Sequence, residues 1–396
     1  GKIRIMINMK TNNLGIISSS FGIGDSNDEY FISITPSSNI HFEETLETIC
    51  TKYEETMKKD GLSGKTQIFC RLYLSDIANQ KNILLSSRLF SIVRLSAYSI
   101  VEQCPLYGGK VALLCYHIKN TMIKKTVSSL DDQIWKNSAE ITGKNYNMLY
   151  VSNYSEAYPF DSEEQTKEIF LSYNSFLKKH DCSLLKNSLR TWIYVRDIDN
   201  HYQGMVKARK DFFKKEGLIP ETRYIASTGI EGKSKETSTL VSMDALAISN
   251  IDPKQIVRME ARDHLNPTHE YGVTFERGTR IDFGDRSHLY ISGTASIDMY
   301  GHTIYERDIK KQTERTIENI EALLRNQKSN LTDLVYIIIY LRNSTDHKTV
   351  KDILKEKKLD QIPQIMVEGA VCRPEWLVEI EGVAIIQSSS PWPSFV

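Results

Sequence analysis

The sequence predicts an α+β protein of three tandem units, each a mixed sheet with two helices on one face, packed as a pseudo-trimer within one chain. Three observations carry this expectation. The first is order: an apolar strand, an amphipathic helix, an aromatic-rich strand, a second helix and two closing strands recur three times along 396 residues. The second is spacing: the copies lie roughly 120–140 residues apart, a domain-sized period and not that of a solenoid. The third is that the strands are apolar on both faces, so a sheet covered by helices on one side must bury the other side too. Three such sheets around a common axis meet that need and leave three clefts where neighbouring units touch. The expected units are 1–125, 126–258 and 259–396.

The elements follow from their residues in order. Ser18 to Asp28, rich in serine, glycine and aspartate, reads as loop. The first strands of the units are Tyr30–Ile34, Met148–Ser152 and His288–Ser292, and the first helices span about 41–61, 162–181 and 308–327. In the first of these, Phe42, Leu46, Ile49, Tyr53 and Met57 recur at helical spacing. The second opens on Asp161-Ser162-Glu163-Glu164, a cap residue followed by acids that suit the helix dipole, and buries Ile169, Phe170, Tyr173 and Phe176. The third turns Thr313, Ile317, Ile320 and Leu324 inward. The central strands are Ile68–Leu74, Leu189–Val195 and Val335–Leu341, followed at near-equal offsets by Asp76, Asp197 and Asn343. A second helix in unit two covers about 200–216. Lys110–Ile118, Thr239–Ile248 and 377–385 close the units. Ile251–Glu270 is a charged linker with turns at Asp252-Pro253 and Asn266-Pro267. The polar tail Ser388–Val396 is expected to fray.

Bulk properties exclude several classes. Fifty basic residues balance fifty acidic ones, so no broad basic field exists for a nucleic acid. The cluster Lys207–Lys215 reads as a solvated helix face. The six cysteines, at 50, 70, 104, 115, 182 and 372, form no Cys-x-x-Cys pair, and Cys50, Cys70 and Cys115 fall in apolar elements as buried thiols. This usage suits a reducing compartment. Gly1–Lys10 holds no signal-peptide core, and no apolar run reaches the ~18–20 residues of a membrane span. A cytoplasmic protein without membrane contact is expected. His264, His269, His288 and His302 never fall at metal spacing on one element, and Gly229–Ser234 lacks the spacing of a phosphate loop, so neither metal nor nucleotide cofactor is expected.

The third unit carries a family resemblance. Tyr290-Ile291-Ser292-Gly293-Thr294-Ala295-Ser296-Ile297, Gln312-Thr313 with Asn319 to Leu324, and Cys372-Arg373-Pro374-Glu375-Trp376 through Glu381 resemble the YjgF/RidA superfamily, and more narrowly its chorismatases. Unit two is similar through Leu189–Tyr194 and Ala226–Gly229; unit one is similar mainly in element order. The resemblance implies a chorismate-mutase-like fold, assembled as a trimer with ligand sites between units. It also implies one of two chemistries. RidA proteins deaminate enamines and imines with an arginine that holds the substrate carboxylate and a glutamate on the last strand. Chorismatases release pyruvate from chorismate.

Glu379 and Glu381 lie two apart on a strand and so share a face. Two carboxylates in a dry place need partners, or one keeps its proton and becomes a general acid. By the resemblance Glu379 is the catalytic glutamate and Glu381 a second candidate; Ser242 and Ala112 stand at the Glu379 position in units two and one, and Asp244 at that of Glu381. One seam, between units two and three, therefore keeps the acid. Cys372, seven residues before Glu379, matches the place where chorismatases differ between hydroxybenzoate formation and hydrolysis. A carboxylate substrate needs a planar cation, and the candidates are Arg190, Arg209, Arg223, Arg277 and Arg373. Of these Arg209 reads as a surface residue; Tyr194 and Tyr290 complete the expected binding set. By the resemblance the RidA carboxylate-binding arginine aligns near Gln364 in unit three and near Tyr98 in unit one, and only Arg223 in unit two could take its place. The expected function is chorismatase-like cleavage of a small carboxylate metabolite, with imine deamination or metabolite binding without catalysis as rivals.

Overall fold

The computed structural model describes residues 4–8, 14–24, 28–36, 40–129 and 135–396. The run Gly1–Lys10 lies partly outside them, as do residues 25–27 of the expected loop. Unit one contains β1 (Arg4–Asn8), β2 (Leu14–Phe21), β3 (Glu29–Pro36), α1 (Phe42–Asp60), β4 (Gln67–Leu74), α2 (Ile77–Leu85), α3 (Arg88–Val93), β5 (Ala97–Glu102) and β6 (Val111–Ile118). Unit two contains β7 (Lys124–Ser129), β8 (Asn137–Thr142), β9 (Asn147–Ser155), α4 (Ser162–Lys179), α5 (Leu184–Asn187), β10 (Ser188–Val195), α6 (Ile198–Lys215), β11 (Ala226–Glu231) and β12 (Val241–Ser249). Unit three contains β13 (Ile256–Arg258), β14 (Gly278–Asp282), β15 (Arg286–Thr294), α7 (Ile309–Arg325), β16 (Leu334–Leu341), α8 (His347–Glu356), β17 (Gln364–Glu368) and β18 (Val378–Gln387).

The three sheets share one topology. Their orders are β1-β2-β3-β6-β4-β5, β7-β8-β9-β12-β10-β11 and β13-β14-β15-β18-β16-β17. All neighbours are antiparallel except the last pair of each sheet, where a helix makes the crossover that parallel strands require. Each sheet thus has two more strands than expected, an N-terminal pair at one edge. β2 takes up Ser18–Phe21 of the expected loop, and β13 lies inside the expected linker. The sheets divide the chain between Ile118 and Lys124 and between Ser249 and Ile256, a few residues before 125/126 and 258/259.

Alternation along the strands sets the layers. On β4, Cys70, Leu72 and Leu74 face the helices, whereas Phe69 and Tyr73 face the common core. That core joins Phe31 and Tyr116 of unit one, Tyr150 and Trp192 of unit two, and Tyr290 and Tyr336 of unit three. Phe31 packs on Tyr336 at 5.7 Å between centroids and Phe69 on Tyr150 at 5.2 Å, so the helix-free faces of the sheets do meet around one axis. The tail does not fray: Phe395 is buried against Phe283 and His288, and the Tyr146 hydroxyl donates to the Pro393 carbonyl at 2.9 Å. Among the described residues no helix is long and apolar enough to cross a membrane.

Candidate active site

β18 runs between β15 and β16, and every second side chain on it points to the helix-free side of the sheet, where the units meet. Glu379 and Glu381 are two of these, and both are buried. Their surroundings separate them. Glu381 Oε2 accepts from Arg190 Nη2 at 2.8 Å and from Trp192 Nε1 at 2.7 Å, both on β10 of unit two. Its other oxygen accepts from the Tyr340 hydroxyl. Arg190 also donates to the Thr191 carbonyl and to Thr228 Oγ1. The charge is paired inside the seam, with only Arg190 Nε left without a partner among the described residues, so this pair is a structural tie.

Glu379 has no hydrogen bond to its carboxyl among the described residues. Burial raises its pKa to about 8, the neighbouring Glu381 anion adds to that, and Arg190 and Arg277 oppose it. At neutral pH the group holds a proton. Gly293, at a break in the β15–β18 register between Ile291 and Thr294, makes room for it. A Cβ at Gly293 would stand 2.0 Å from Glu379 Oε1.

The carboxyl faces a cavity of about 150 Å³ at the seam of units two and three. Its walls come from α6 (Tyr202, Gln203, Arg209), β11 (Ser227, Gly229), the segment before β14 (Tyr271, Val273, Phe275, Arg277), the stretch after β15 (Ala295, Ile297), and the approach to β18 (Cys372, Arg373, Trp376). Three guanidiniums line it. Arg277 is held by the carbonyl and side chain of Asn266 at 2.9 and 3.2 Å and lies over Tyr271. Arg373 lies between Tyr271 and Trp376, 5.0 and 4.5 Å from their centroids, with one bond to the Gly301 carbonyl. Arg209 lies over Phe275 at 5.7 Å, and its Nε and Nη2 are buried without a partner among the described residues. Burial lowers its pKa, and Tyr202, Cys372 and Tyr271 work against that. Unpartnered guanidinium donors are costly to bury, and a bound carboxylate would satisfy them. Cys372 sits beside Glu379; burial, then the Glu379 charge, pushes its thiol up to about 12, so it stays protonated and is no nucleophile at neutral pH.

Of the residues expected from sequence, Glu379, Cys372, Arg277 and Arg373 come together here; five others do not. Glu381 and Arg190 are tied to each other. Tyr194 points its hydroxyl, without a partner among the described residues, into the axial core near Arg71. Arg223 donates to the carbonyls of Leu184, Leu185, Ser188 and Tyr224 and so staples α5 to the start of β11. Tyr290 sits in the axial core with its hydroxyl 3.3 Å from His288 Nδ1. The residue misread is Arg209: it is not a surface residue but a buried one. Its spacing from Met205, Phe212 and Phe213, the inner stripe of α6, was the available signal. Among the described residues, no group of three His, Cys, Asp or Glu could hold a metal ion.

A family model described as Endoribonuclease L-PSP matches residues 282–386. A RutC family protein of Pyrococcus abyssi (strain GE5 / Orsay) is 31% identical over 97 residues, 24% of this chain and 76% of that protein. The chain belongs to the YjgF/RidA family. Within it, a 3-hydroxybenzoate synthase of Streptomyces hygroscopicus is 25% identical over 245 residues, 56% of this chain and 69% of that protein. The fold is also that of a chorismatase crystal structure, with a TM-score of 0.61 at 18% identity over 81% of this chain and 93% of the other. The match to the RutC protein spans about one unit, whereas the chorismatase likeness runs through most of the chain. This is therefore a chorismatase-like YjgF/RidA protein in sequence and architecture.

Proposed function

We propose that the chain cleaves the enolpyruvyl ether of chorismate, or of a closely similar carboxylate metabolite, and releases pyruvate in the cavity between units two and three. The observation that carries this reading is a proton-bearing, unbonded Glu379 carboxyl facing a cavity ringed by Arg209, Arg277 and Arg373. The likeness to a 3-hydroxybenzoate synthase and a chorismatase supports the same choice.

Glu379 gives its proton to the terminal methylene carbon of the enol ether, as a buried acid with a raised pKa is suited to do. The methylene becomes a methyl group and positive charge develops at the ether-bearing carbon. Water adds there and gives a proton back to Glu379. The hemiketal collapses: the bond from that carbon to the ring oxygen breaks, the oxygen leaves as a hydroxyl, and pyruvate departs. The arginines hold the carboxylates while the aromatic walls cover the ring.

The test is incubation with chorismate, with pyruvate coupled to a reporter dehydrogenase. Release by the wild type and loss in Glu379→Gln is expected. No pyruvate above the Glu379→Gln level ends this reading. Hydrolysis of 2-aminoacrylate generated in place would then move the function to imine deamination, and a thermal shift with chorismate without turnover would move it to binding alone.

A further inference from the structure

Unit one holds a cluster that the proposed reaction does not use. Cys70 on β4 and Cys115 on β6 are direct partners across an antiparallel pair, and both are buried. Their sulfurs lie 2.8 Å apart. Under about 1 Å of movement separates that contact from the ~2.05 Å of a disulfide bond. The matching pairs are Thr191 and Ala245 in unit two and Ile337 and Gly382 in unit three, so the arrangement belongs to unit one.

The thiols are not isolated from solvent protons. The Tyr53 hydroxyl lies 3.9 Å from Cys70 Sγ and 2.7 Å from His117 Nε2. His117 Nδ1 meets Thr66 Oγ1 at 2.9 Å, and that hydroxyl lies at the surface-side turn with Ser63. The Tyr53 hydroxyl also donates to Gln67 Oε1 at 2.6 Å, so a polar network, not a bare apolar wall, joins the thiol pair to the edge of the unit. Burial holds His117 neutral, with a pKa lowered to about 3, so the ring nitrogen that carries no proton can accept. Lys125 is anchored on the Gln67 carbonyl at 2.7 Å, while burial and the neighbouring Cys70 push the Cys115 thiol well above its ordinary range. The pair therefore reacts only when local opening of the sheet wets the thiols.

We propose that Cys70 and Cys115 form an oxidation site that closes to a cross-strand disulfide when the protein meets hydrogen peroxide. One thiolate attacks the O–O bond, forming S–O and releasing hydroxide, which takes up the proton that left the thiol and becomes water. The second thiol attacks that sulfur; S–S forms, S–O breaks, and the oxygen leaves as water with the remaining proton. Two thiols are oxidised and one peroxide is reduced to two waters. Local opening of the β4–β6 pair admits the oxidant, so the reaction is slow beside that of an exposed thiol.

The experiment is treatment of the full chain with hydrogen peroxide, followed by thiol counting, intact mass and peptide mapping without reductant. The expected result is loss of two of the six thiols, loss of the mass of two hydrogens, a link between the peptides carrying Cys70 and Cys115, and recovery with a dithiol. Cys115→Ala should lose the paired oxidation. Unlinked peptides at both positions, or a link between other cysteines, overturns the proposal. The wild-type map decides this even if the variant fails to fold.

Discussion

The seam between units two and three and the seam between units one and two are built on the same plan and end differently. Each has an arginine from the central strand of one unit paired with an acid on the closing strand of the next: Arg190 with Glu381 at 2.8 Å, Arg71 with Asp244 at 2.9 Å. By strand register Glu381 and Asp244 are equivalent, and so are Glu379, Ser242 and Ala112, opposite Tyr340, Tyr194 and Tyr73. The break in β15 at Gly293 also recurs in β9 at Asn153. At the second seam the Asn153 amide fills the space, accepting from the Ile100 N–H and donating to the carbonyls of Tyr98 and Trp135. At the first, Gly293 leaves the space open and Glu379 occupies its floor. The difference teaches which carboxylate belongs to the architecture and which to the cavity: the tie is repeated, the acid is not.

The comparison can be broken or sharpened in four ways. The largest effect is expected from Glu379→Gln, which removes the acid and should lower pyruvate release by roughly 10²–10⁴-fold. The fold should not suffer. Glu379 is raised from 4.5 to about 8 in the folded chain, so the folded state holds a proton that the unfolded state gives up. Its contribution to stability is complete below pH 4.5 and is lost as pH rises through about 8. The Gln variant should therefore gain on the wild type in thermal melts as pH rises across that range. Glu381→Gln should do the reverse. It leaves Arg190 buried without its counter-ion, a loss of about 3–5 kcal/mol, and Asp244→Asn should match it in denaturant titrations at the other seam. Gly293→Ala should displace the Glu379 carboxyl and lower kcat by roughly 10²-fold, since small misplacements are that costly. Arg209→Ala should remove one charge-assisted clamp, about 1.5–3 kcal/mol, seen chiefly as a higher KM for a carboxylate substrate.

Much of this was legible in the residues. The three-unit order was readable because each central strand is a long apolar run, and the equivalence of Glu379, Ser242 and Ala112 followed from counting along closing strands of equal build. The extra edge strands were not readable. β7 is Lys-Lys-Thr-Val-Ser-Ser, mostly exposed, and β13 is three residues inside a charged stretch, so neither shows an apolar pattern. Arg190 could not be told from a substrate clamp because a buried arginine beside tryptophan looks alike in either role; its partner Glu381 lies 191 residues away. Arg209 was hidden by the lysines around it, which are solvated while it is not. The tail was misjudged because its polarity concealed one anchoring side chain, Phe395.

The most direct test follows the Glu379 proton itself. Infrared difference spectra between the wild type and Glu379→Gln across pH should show a protonated carboxyl band that persists at neutral pH and fades as pH rises through about 8. A band already gone in mildly acidic solution, as for an ordinary exposed glutamate, would contradict the account.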